Sequence, residues 1–325
     1  MRRFFFCFVL LPLLGCGGQD GPPRKARSFL SIGTAPPGGA FFVVGGALSE
    51  ALTQAGEGSW RVTAEATKGS QENIRRLARG ELDLALSNAA ITYFAVRGEG
   101  GWDRAYPMRA VMTLAPNVAL FVAPAASGLH SLQDLKGRRV VVGPAGAGFE
   151  YFLRPLLAAH GLTYDDFSPV HATQSRAVDL LADGAAAAAF LGGAVPTASI
   201  SRAAVSQEIR FLTFDPAAVD SLTNRYLFFD PAVIPAGTYH GQERDFTGLN
   251  VGSIQLITAV DADEDLIYRI TRALYENRER VAERHPAGRA IQPQIVVRDT
   301  GTPFHPGAIR YYREIGIWPA DRGPT

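Results

Sequence analysis

The feature that most constrains the fold is a regular alternation of short apolar runs with longer segments that are apolar at helical spacing. Strand-like runs occupy 29–33, 60–67 and 82–86, and helix-like segments at 39–55 and 70–79 separate them. This βαβαβ order is typical of a parallel sheet covered by helices. The first third of the chain therefore predicts an α/β domain.

The same order recurs in the middle of the chain. Strands are predicted at 140–143, 167–171 and 185–191, with helices over 147–160 and 175–182 between them. The recurrence indicates two similar α/β halves. Convergent use of a helix, a glycine and a strand is the alternative explanation, because glycine ends helices in any α/β fold.

Two long apolar segments, 109–123 and 251–260, predict crossings between these halves; the first is broken by Pro116 and Asn117. We therefore predict an α/β protein with two parallel-rich sheets joined by two hinge crossings. Its lobe I comprises 28–118 plus 250–325, and its lobe II comprises 119–249. A ligand site is expected in the cleft between the lobes.

The amino terminus predicts export. Two arginines precede the apolar run 4–14, which is too short to span a membrane and fits a secretory signal over 1–15. The tetrad that ends at Cys16 resembles a bacterial lipobox, so we expect lipidation of Cys16 and a flexible tether over 16–27. The alternative is an ordinary signal peptide, with Cys16 incidental.

Composition and motifs exclude several classes of function. The chain has 32 Lys and Arg against 31 Asp and Glu, and such a balance does not suit a protein that neutralises many phosphates, so nucleic acid is not an expected partner. None of the six histidines stands in a metal-ligand spacing, and no Gly-x-Ser-x-Gly nucleophile motif occurs. We expect no metal, no cofactor and no enzymatic activity. An exported enzyme would depend on Glu150 with His171.

Glycine-rich loops are the candidate binding elements. The loops 33–39 and 143–148 each join a strand to a helix, where backbone N–H groups and the helix dipole favour an anion. Lys68-Gly69-Ser70 and Ser87-Asn88 end two further strands, and strand ends of a parallel sheet gather at one edge. The structural alternatives are a rigid turn at Pro36-Pro37 and ordinary helix caps at Ser70 and Asn88.

Blocks of sequence spread over the chain resemble the TAXI-type solute receptors of TRAP transporters. The similar blocks are Gly33-Thr, Glu65-Ala-Thr-Lys-Gly-Ser70, Ser131-Leu-Gln-Asp-Leu-Lys-Gly137, Phe190-Leu-Gly-Gly193, Ile234-Pro-Ala-Gly-Thr-Tyr239 and His305-Pro-Gly-Ala-Ile-Arg-Tyr311. The resemblance implies a type II periplasmic-binding-protein fold. It implies a monomeric periplasmic receptor, held to the membrane by its lipid, that passes a small organic anion such as a glutamate-like carboxylate to TRAP permease subunits.

The resemblance also implies the residues of the cleft. Backbone N–H groups of Gly38, Gly39, Ser70 and Gly148 would hold a carboxylate, and Lys68 or Arg154 would supply charge. Its lining would comprise Thr34, Gly38, Gly39, Phe41, Lys68, Gly69, Ser70, Ser87, Asn88, Asn117, Gly146, Gly148, Phe149, Glu150, Gly192, Gly193 and Tyr239.

The sequence departs from the family pattern at Pro36-Pro37 and at Ala147-Gly148-Phe149, where apolar bulk replaces hydrogen-bond donors. The identity of the solute is therefore left open. A ligand sensor, or a module that binds an envelope partner, is the second reading on the same fold.

Overall fold

The computed structural model describes residues 28–37, 40–284 and 286–322. The predicted signal peptide, the tether with Cys16, and the candidate residues Gly38 and Gly39 lie outside the described residues. Across the described ranges, no helix is both long enough and apolar enough to cross a membrane.

The strands and helices follow the predicted alternation. The strands are β1 (Ser28–Gly33), β2 (Trp60–Glu65), β3 (Leu84–Asn88), β4 (Met108–Thr113), β5 (Val118–Pro124), β6 (Arg139–Val141), β7 (Ser168–Val170), β8 (Ala188–Gly193), β9 (Ile209–Phe211), β10 (Phe229–Ile234), β11 (Phe246–Val251) and β12 (Ile254–Ala259). The helices are α1 (Ala40–Ala55), α2 (Ser70–Ala78), α3 (Ala89–Arg97), α4 (Glu150–Ala159), α5 (Gln174–Ala182), α6 (Ala198–Ser206), α7 (Pro216–Arg225), α8 (Glu264–Glu276), α9 (Arg278–Arg284), α10 (Pro293–Val296) and α11 (Pro306–Glu314).

The strands form two sheets. The first has the order β2-β1-β3-β12-β4, and the second has the order β10-β11-β5-β8-β6-β7, with β9 pairing on β5. Each sheet has a parallel core, β2-β1-β3 in the first and β7-β6-β8 in the second. The neighbouring strands are antiparallel, because they belong to the segments that pass between the sheets. The predicted two-sheet α/β fold with two crossings is confirmed, and both sheets are mixed.

The first predicted crossing segment, 109–123, contains most of β4 and of β5, whereas the second, 251–260, contains β12 and only the last residue of β11, so the second crossing begins earlier than predicted. β4 leads into β5 through residues 114–117, and β11 leads into β12 through Gly252 and Ser253. The two crossings run side by side, because Val251 N–H donates to Asn117 O at 3.0 Å and Ile254 N–H donates to Ala115 O at 2.9 Å. We call the first sheet with α1–α3 and α8–α11 the first half, and the second sheet with α4–α7 the second half.

Apolar packing holds each half and also joins them. In the first half Tyr311 and Tyr312 are buried, and the Tyr312 hydroxyl donates to Val111 O at 2.9 Å. One buried cluster is continuous between the halves and includes Phe94 and Tyr151, because α3 packs against α4. The halves are therefore in contact.

Candidate functional site

Loops that follow strands of both sheets meet between the halves. A Cβ atom placed on Gly193, at the end of β8, would lie 4.0 Å from the Ala40 Cβ at the start of α1. A Cβ on Gly148 would lie 2.7 Å from Ile91 Cδ1, so this glycine allows a close approach. We call the facing segments 34–37, 40–41, 66–70, 87–91, 143–150 and 192–197 the junction.

Three helices begin at the junction without a side-chain cap. The residues at the N-cap positions of α2, α4 and α6 are Gly69, Phe149 and Thr197, and none of them forms a capping hydrogen bond. The short α10 also lacks such a cap, but it has Pro293 in its first turn. Side chains do cap α3, α5, α7, α8 and α11. Among the helices of nine or more residues whose N-cap is described, those without a side-chain cap therefore all begin at the junction.

Uncapped N-termini suit an anion. The first N–H groups of a helix have no acceptor within the helix, and the aligned peptide dipoles add partial positive charge there. The start of α2 lies beside the loop before α4, since a Cβ on Gly69 would be 3.9 Å from Ala147 O. Donors from both halves thus flank the same region, an arrangement that binds a carboxylate, sulfonate or phosphonate group.

Thr34 supports the loop that leads to α1. It is fully buried, its hydroxyl donates to Glu65 O at 2.7 Å, and its carbonyl accepts from Asn73 Nδ2 at 2.8 Å and Thr67 Oγ1 at 3.0 Å. The side chain of Thr34 is therefore directed into the first half. Phe41, also predicted for the cleft, packs against the core of the first half.

Ser87, Asn88 and Asn117 make internal hydrogen bonds. Ser87 is fully buried and accepts a hydrogen bond from Thr92 Oγ1 at 2.8 Å. Asn88 Oδ1 accepts from Ala90 N–H at 2.9 Å, which is the helix-cap alternative considered for this residue. Asn117 N–H donates to Asn250 Oδ1 at 3.1 Å. These three residues support the base of the junction and the crossings.

The predicted cations differ in position. Lys68 is exposed at the junction, and its backbone N–H donates to Glu72 Oε2 at 3.1 Å. The Arg154 guanidinium instead lies 4.8 Å from the centre of the Tyr164 ring, so its charge is directed to a neighbour within the second half. Lys68 is thus the better placed of the two for an anion.

The enzyme alternative and a metal site each require particular side chains to act together. Among the described residues, the Glu150 and His171 side chains form no hydrogen bond or ion pair with each other. Over the same residues, no group of three or more His, Cys, Asp or Glu side chains is placed to hold a metal ion.

The second half shapes its side of the junction with aromatic rings and glycines. The Phe149 ring packs against Phe152 and Phe190, with centroids 5.3 and 5.9 Å away. Gly143 makes this possible, because a Cβ there would lie 2.0 Å from the Phe149 ring. Phe149 therefore faces its own core. Gly146 is exposed, with a φ of 73°.

The end of β8 is held from two sides. Gln174 Nε2 donates to Gly192 O at 2.8 Å, and Gly192 N–H donates to Gln174 Oε1 at 3.3 Å. The Tyr239 hydroxyl accepts from Thr197 N–H at 2.9 Å, and burial raises the pKa of Tyr239. Tyr239 thus positions the start of α6 and keeps its hydroxyl protonated.

Sequence reasoning missed a side-chain hydrogen bond that joins the halves beside the junction. Gln71 Nε2 donates to the Tyr151 hydroxyl at 3.0 Å, which links α2 to α4. Burial is the main reason that the pKa of Tyr151 is raised. Gln71 and Tyr151 belong to no motif, and only the position of Gln71 directly after Ser70 offered a signal.

Comparison with known proteins agrees with this geometry. Residues 32–316 match the model of the NMT1-like family, so the chain belongs to that family. The periplasmic aliphatic sulphonate binding protein SsuA from Escherichia coli is similar in structure, with a TM-score of 0.52, 17% identity, and coverage of 90% of this chain and 84% of SsuA. PhnD1 from Prochlorococcus marinus, solved with methylphosphonate, has a TM-score of 0.55, 10% identity, and coverage of 89% and 96%. These likenesses show a periplasmic-binding-protein fold.

Proposed function

We propose that this chain is an extracytoplasmic solute receptor of the TAXI type, which captures a small organic anion at the junction and delivers it to a TRAP permease. In this proposal the halves are lobes formed by 28–118 plus 250–325 and by 119–249. Lipidation of Cys16 would hold the receptor at the periplasmic face of a membrane.

The closeness of the uncapped N-termini of α2 and α4 carries the proposal, since a Cβ on Gly69 would be 3.9 Å from Ala147 O. These two termini come from different halves, and neither N-cap residue supplies a side-chain acceptor. The N-cap residue of α6 forms no capping bond either, and α6 begins shortly after Gly193. An anion between the starts of α2 and α4 would supply the missing acceptor and would favour the closed arrangement, because only the closed form offers donors from both halves at once. Lys68 adds a positive charge at the rim.

The neighbours support an anion as the class of solute. One of them is named for aliphatic sulphonates and the other was solved with methylphosphonate, and both solutes carry an anionic group. For this chain we propose a carboxylate, with a glutamate-like amino acid as the first candidate, on the resemblance to TAXI receptors. Sulfonates and phosphonates test the headgroup.

The first experiment measures the melting temperature of the purified, refolded chain with each of several solutes. The panel contains L-glutamate, L-glutamine, succinate, ethanesulfonate, methylphosphonate and glucose. A solute at a hundred times its Kd stabilises by about 2.7 kcal/mol, which raises Tm by several degrees. A selective shift with an anion supports the proposal. A shift with glucose alone, or no shift with any solute of the panel, contradicts it.

A matched pair of cap substitutions tests the site. Thr197→Asp adds a carboxylate at the start of α6, where it would bind the free N–H groups and repel an anionic solute. Thr173→Asp makes the same change at the start of α5, a helix of equal length that already has a side-chain cap. We expect Thr197→Asp to abolish the solute-dependent Tm shift and Thr173→Asp to retain it. Equal retention in both variants would exclude α6 from the site.

Transport is tested separately. The chain is added to vesicles that contain a TRAP permease from the same organism, and uptake of the stabilising solute is followed. A TRAP-type system predicts uptake that depends on an ion gradient and not on ATP. Uptake that requires ATP would contradict the TRAP assignment and leave the solute-receptor proposal intact.

A further inference from the structure

Two buried asparagines lie where the crossings pass beneath the junction. Asn88 ends β3 and is 3% exposed, and Asn250 lies in β11 and is 1% exposed. Buried amides are stable only when their hydrogen-bonding groups are matched, so their partners show what they hold in place.

Asn88 connects the start of α2 to the second crossing. Its backbone N–H donates to Ser70 Oγ at 3.0 Å, and Ser70 is the first residue of α2. Its side-chain Nδ2 donates to Gly252 O at 2.8 Å. One residue therefore contacts both a proposed anion-binding helix and the segment that passes between the sheets.

Asn250 connects the two crossings to each other. Its Oδ1 accepts from Asn117 N–H at 3.1 Å in the first crossing and from Gly252 N–H at 3.2 Å in the second. Its Nδ2 donates to Ser253 Oγ at 3.0 Å. The amide thus holds both crossings in one fixed arrangement.

Gly252 makes this connection possible. Its φ of 115° disfavours a side chain, and a Cβ there would lie 2.4 Å from Asn88 Oδ1 and 2.7 Å from Ala90 N. Close contact between β3 and the second crossing therefore requires glycine at this position.

We infer that Asn88 and Asn250 are positioning residues that set the angle between the halves and link that angle to the start of α2. Ser70, Asn88, Gly252, Asn250 and Asn117 form an unbroken series of direct hydrogen bonds from the junction to both crossings. Neither asparagine side chain contacts the solute in this scheme. The expected effect of the two asparagines on solute affinity rests on the proposed function. Their expected effect on the angle between the halves does not depend on it.

Asn88→Asp separates the two roles of Asn88. Aspartate caps a helix as well as asparagine does, so the bond to Ala90 N–H is retained. It cannot donate to Gly252 O, so the bond to the crossing is replaced by repulsion between two oxygens. The change therefore breaks the connection to the crossing while keeping α3 capped.

Asn73→Asp is the matched control. Asn73 is also fully buried, and its Nδ2 donates to Thr34 O and Leu86 O, both in the first half. The control makes the same chemical change and removes two internal hydrogen bonds where Asn88→Asp removes one, but it touches neither crossing.

The readouts are the radius of gyration of the solute-free chain by small-angle scattering, and Tm. We expect Asn88→Asp to increase the radius of gyration and Asn73→Asp to lower Tm with no such increase. For a solute that stabilises the natural chain, we expect Asn88→Asp to weaken binding about tenfold, or about 1.4 kcal/mol. An unchanged radius in Asn88→Asp, or equal increases in both variants, would overturn the inference.

A second pair decides the matter if Asn88→Asp does not fold. Asn250→Leu removes every bond to the crossings, whereas Asn250→Asp keeps the acceptor for Asn117 and Gly252 and can accept from the Ser253 hydroxyl. We expect an increased radius in Asn250→Leu and recovery in Asn250→Asp. Equal radii in these two variants contradict the inference. Lack of any solute effect in the natural chain would contradict only the proposed function.

Discussion

The two halves meet at two places that are built from different residues. On one side lies an aromatic seam, formed by Phe94 and Trp102 of the first half with Tyr151, Tyr226 and Phe228 of the second. On the other side Gly193 lies opposite Ala40, where backbone and small side chains approach without aromatic packing. Gly148 and Ile91 lie between the two, beside the start of α4.

The comparison indicates which side opens. Separation of the seam would expose buried rings, and aromatic pairs contribute about 0.5–1.5 kcal/mol each beyond the area they bury. Separation at Gly193 exposes little apolar surface. We therefore expect solute to enter from the Gly193 side, with the seam and the adjacent crossings as the pivot.

The largest expected effect is that of Phe228→Ala in the seam. Phe228 is fully buried and contacts Tyr93, Phe94, Tyr226 and Phe229, so truncation should lower the unfolding free energy by about 3–5 kcal/mol and Tm by about 10 °C. Amide hydrogen exchange in α3 and α4 should also accelerate.

The control for this variant is Phe121→Ala, which removes an equally buried ring from the second half. It should lower Tm by a similar amount without selective exchange in α3. Identical exchange patterns in the two variants would show that the seam has no special role in joining the halves.

A smaller effect is expected for Gly148→Ala, which lies in the loop before α4. Gly148 has a φ of 90°, and the added methyl must displace Ile91, so we expect a loss of about 2 kcal/mol together with a weaker solute-dependent Tm shift. Gly137→Ala is the control, since its φ is 69° but its surroundings are open. It should lose about 1 kcal/mol and keep the full solute response. A full response in Gly148→Ala would place the moving contact elsewhere.

Tyr151→Phe tests a hydrogen bond that joins the halves beside the seam. Loss of the bond from Gln71 should lower the unfolding free energy by about 1 kcal/mol, and exchange at the start of α2 should increase. Tyr106→Phe removes a hydroxyl bonded to Asp103 within the first half, and differential scanning calorimetry should show a similar loss. Faster exchange in α2 for both variants would remove the distinction.

His305 makes the stability of the chain depend on pH, and it lies in neither of the two regions where the halves meet. His305 is buried and caps α11, and burial lowers its pKa below the ordinary value of 6.5. The unfolded state therefore binds a proton first as pH falls below about 6.5, so stability that is present above this pH is progressively lost. His305→Asn keeps a capping acceptor and does not titrate. Urea unfolding should show a smaller loss of stability on acidification in this variant, and parallel profiles would refute the role of His305.

Several elements could be predicted closely from the sequence because local rules decide them. Ser131 and Asp134 form a capping box, which a serine followed three residues later by an acidic residue predicts. The helix expected over 70–79 is α2, since Gly80 follows it with a φ of 69°. The strand expected at 82–86 is shifted to Leu84–Asn88, because the Asp83 carboxylate accepts from Ser31 N–H at 2.8 Å, a partner 52 residues away.

The alternation of strand and helix patterns by itself determined the α/β class, the order of elements and the two crossings, because hydrophobic spacing and turn residues act over a few neighbouring positions. Only the tertiary structure decided how the polar candidates are used. The sequence predicts Asn88 and Thr34 as lining residues of the cleft. Both are buried in the structure, where their side chains form hydrogen bonds to Gly252 and Glu65, which are remote in sequence. The uncapped starts of α2 and α4 likewise lie side by side only because the fold brings both halves together.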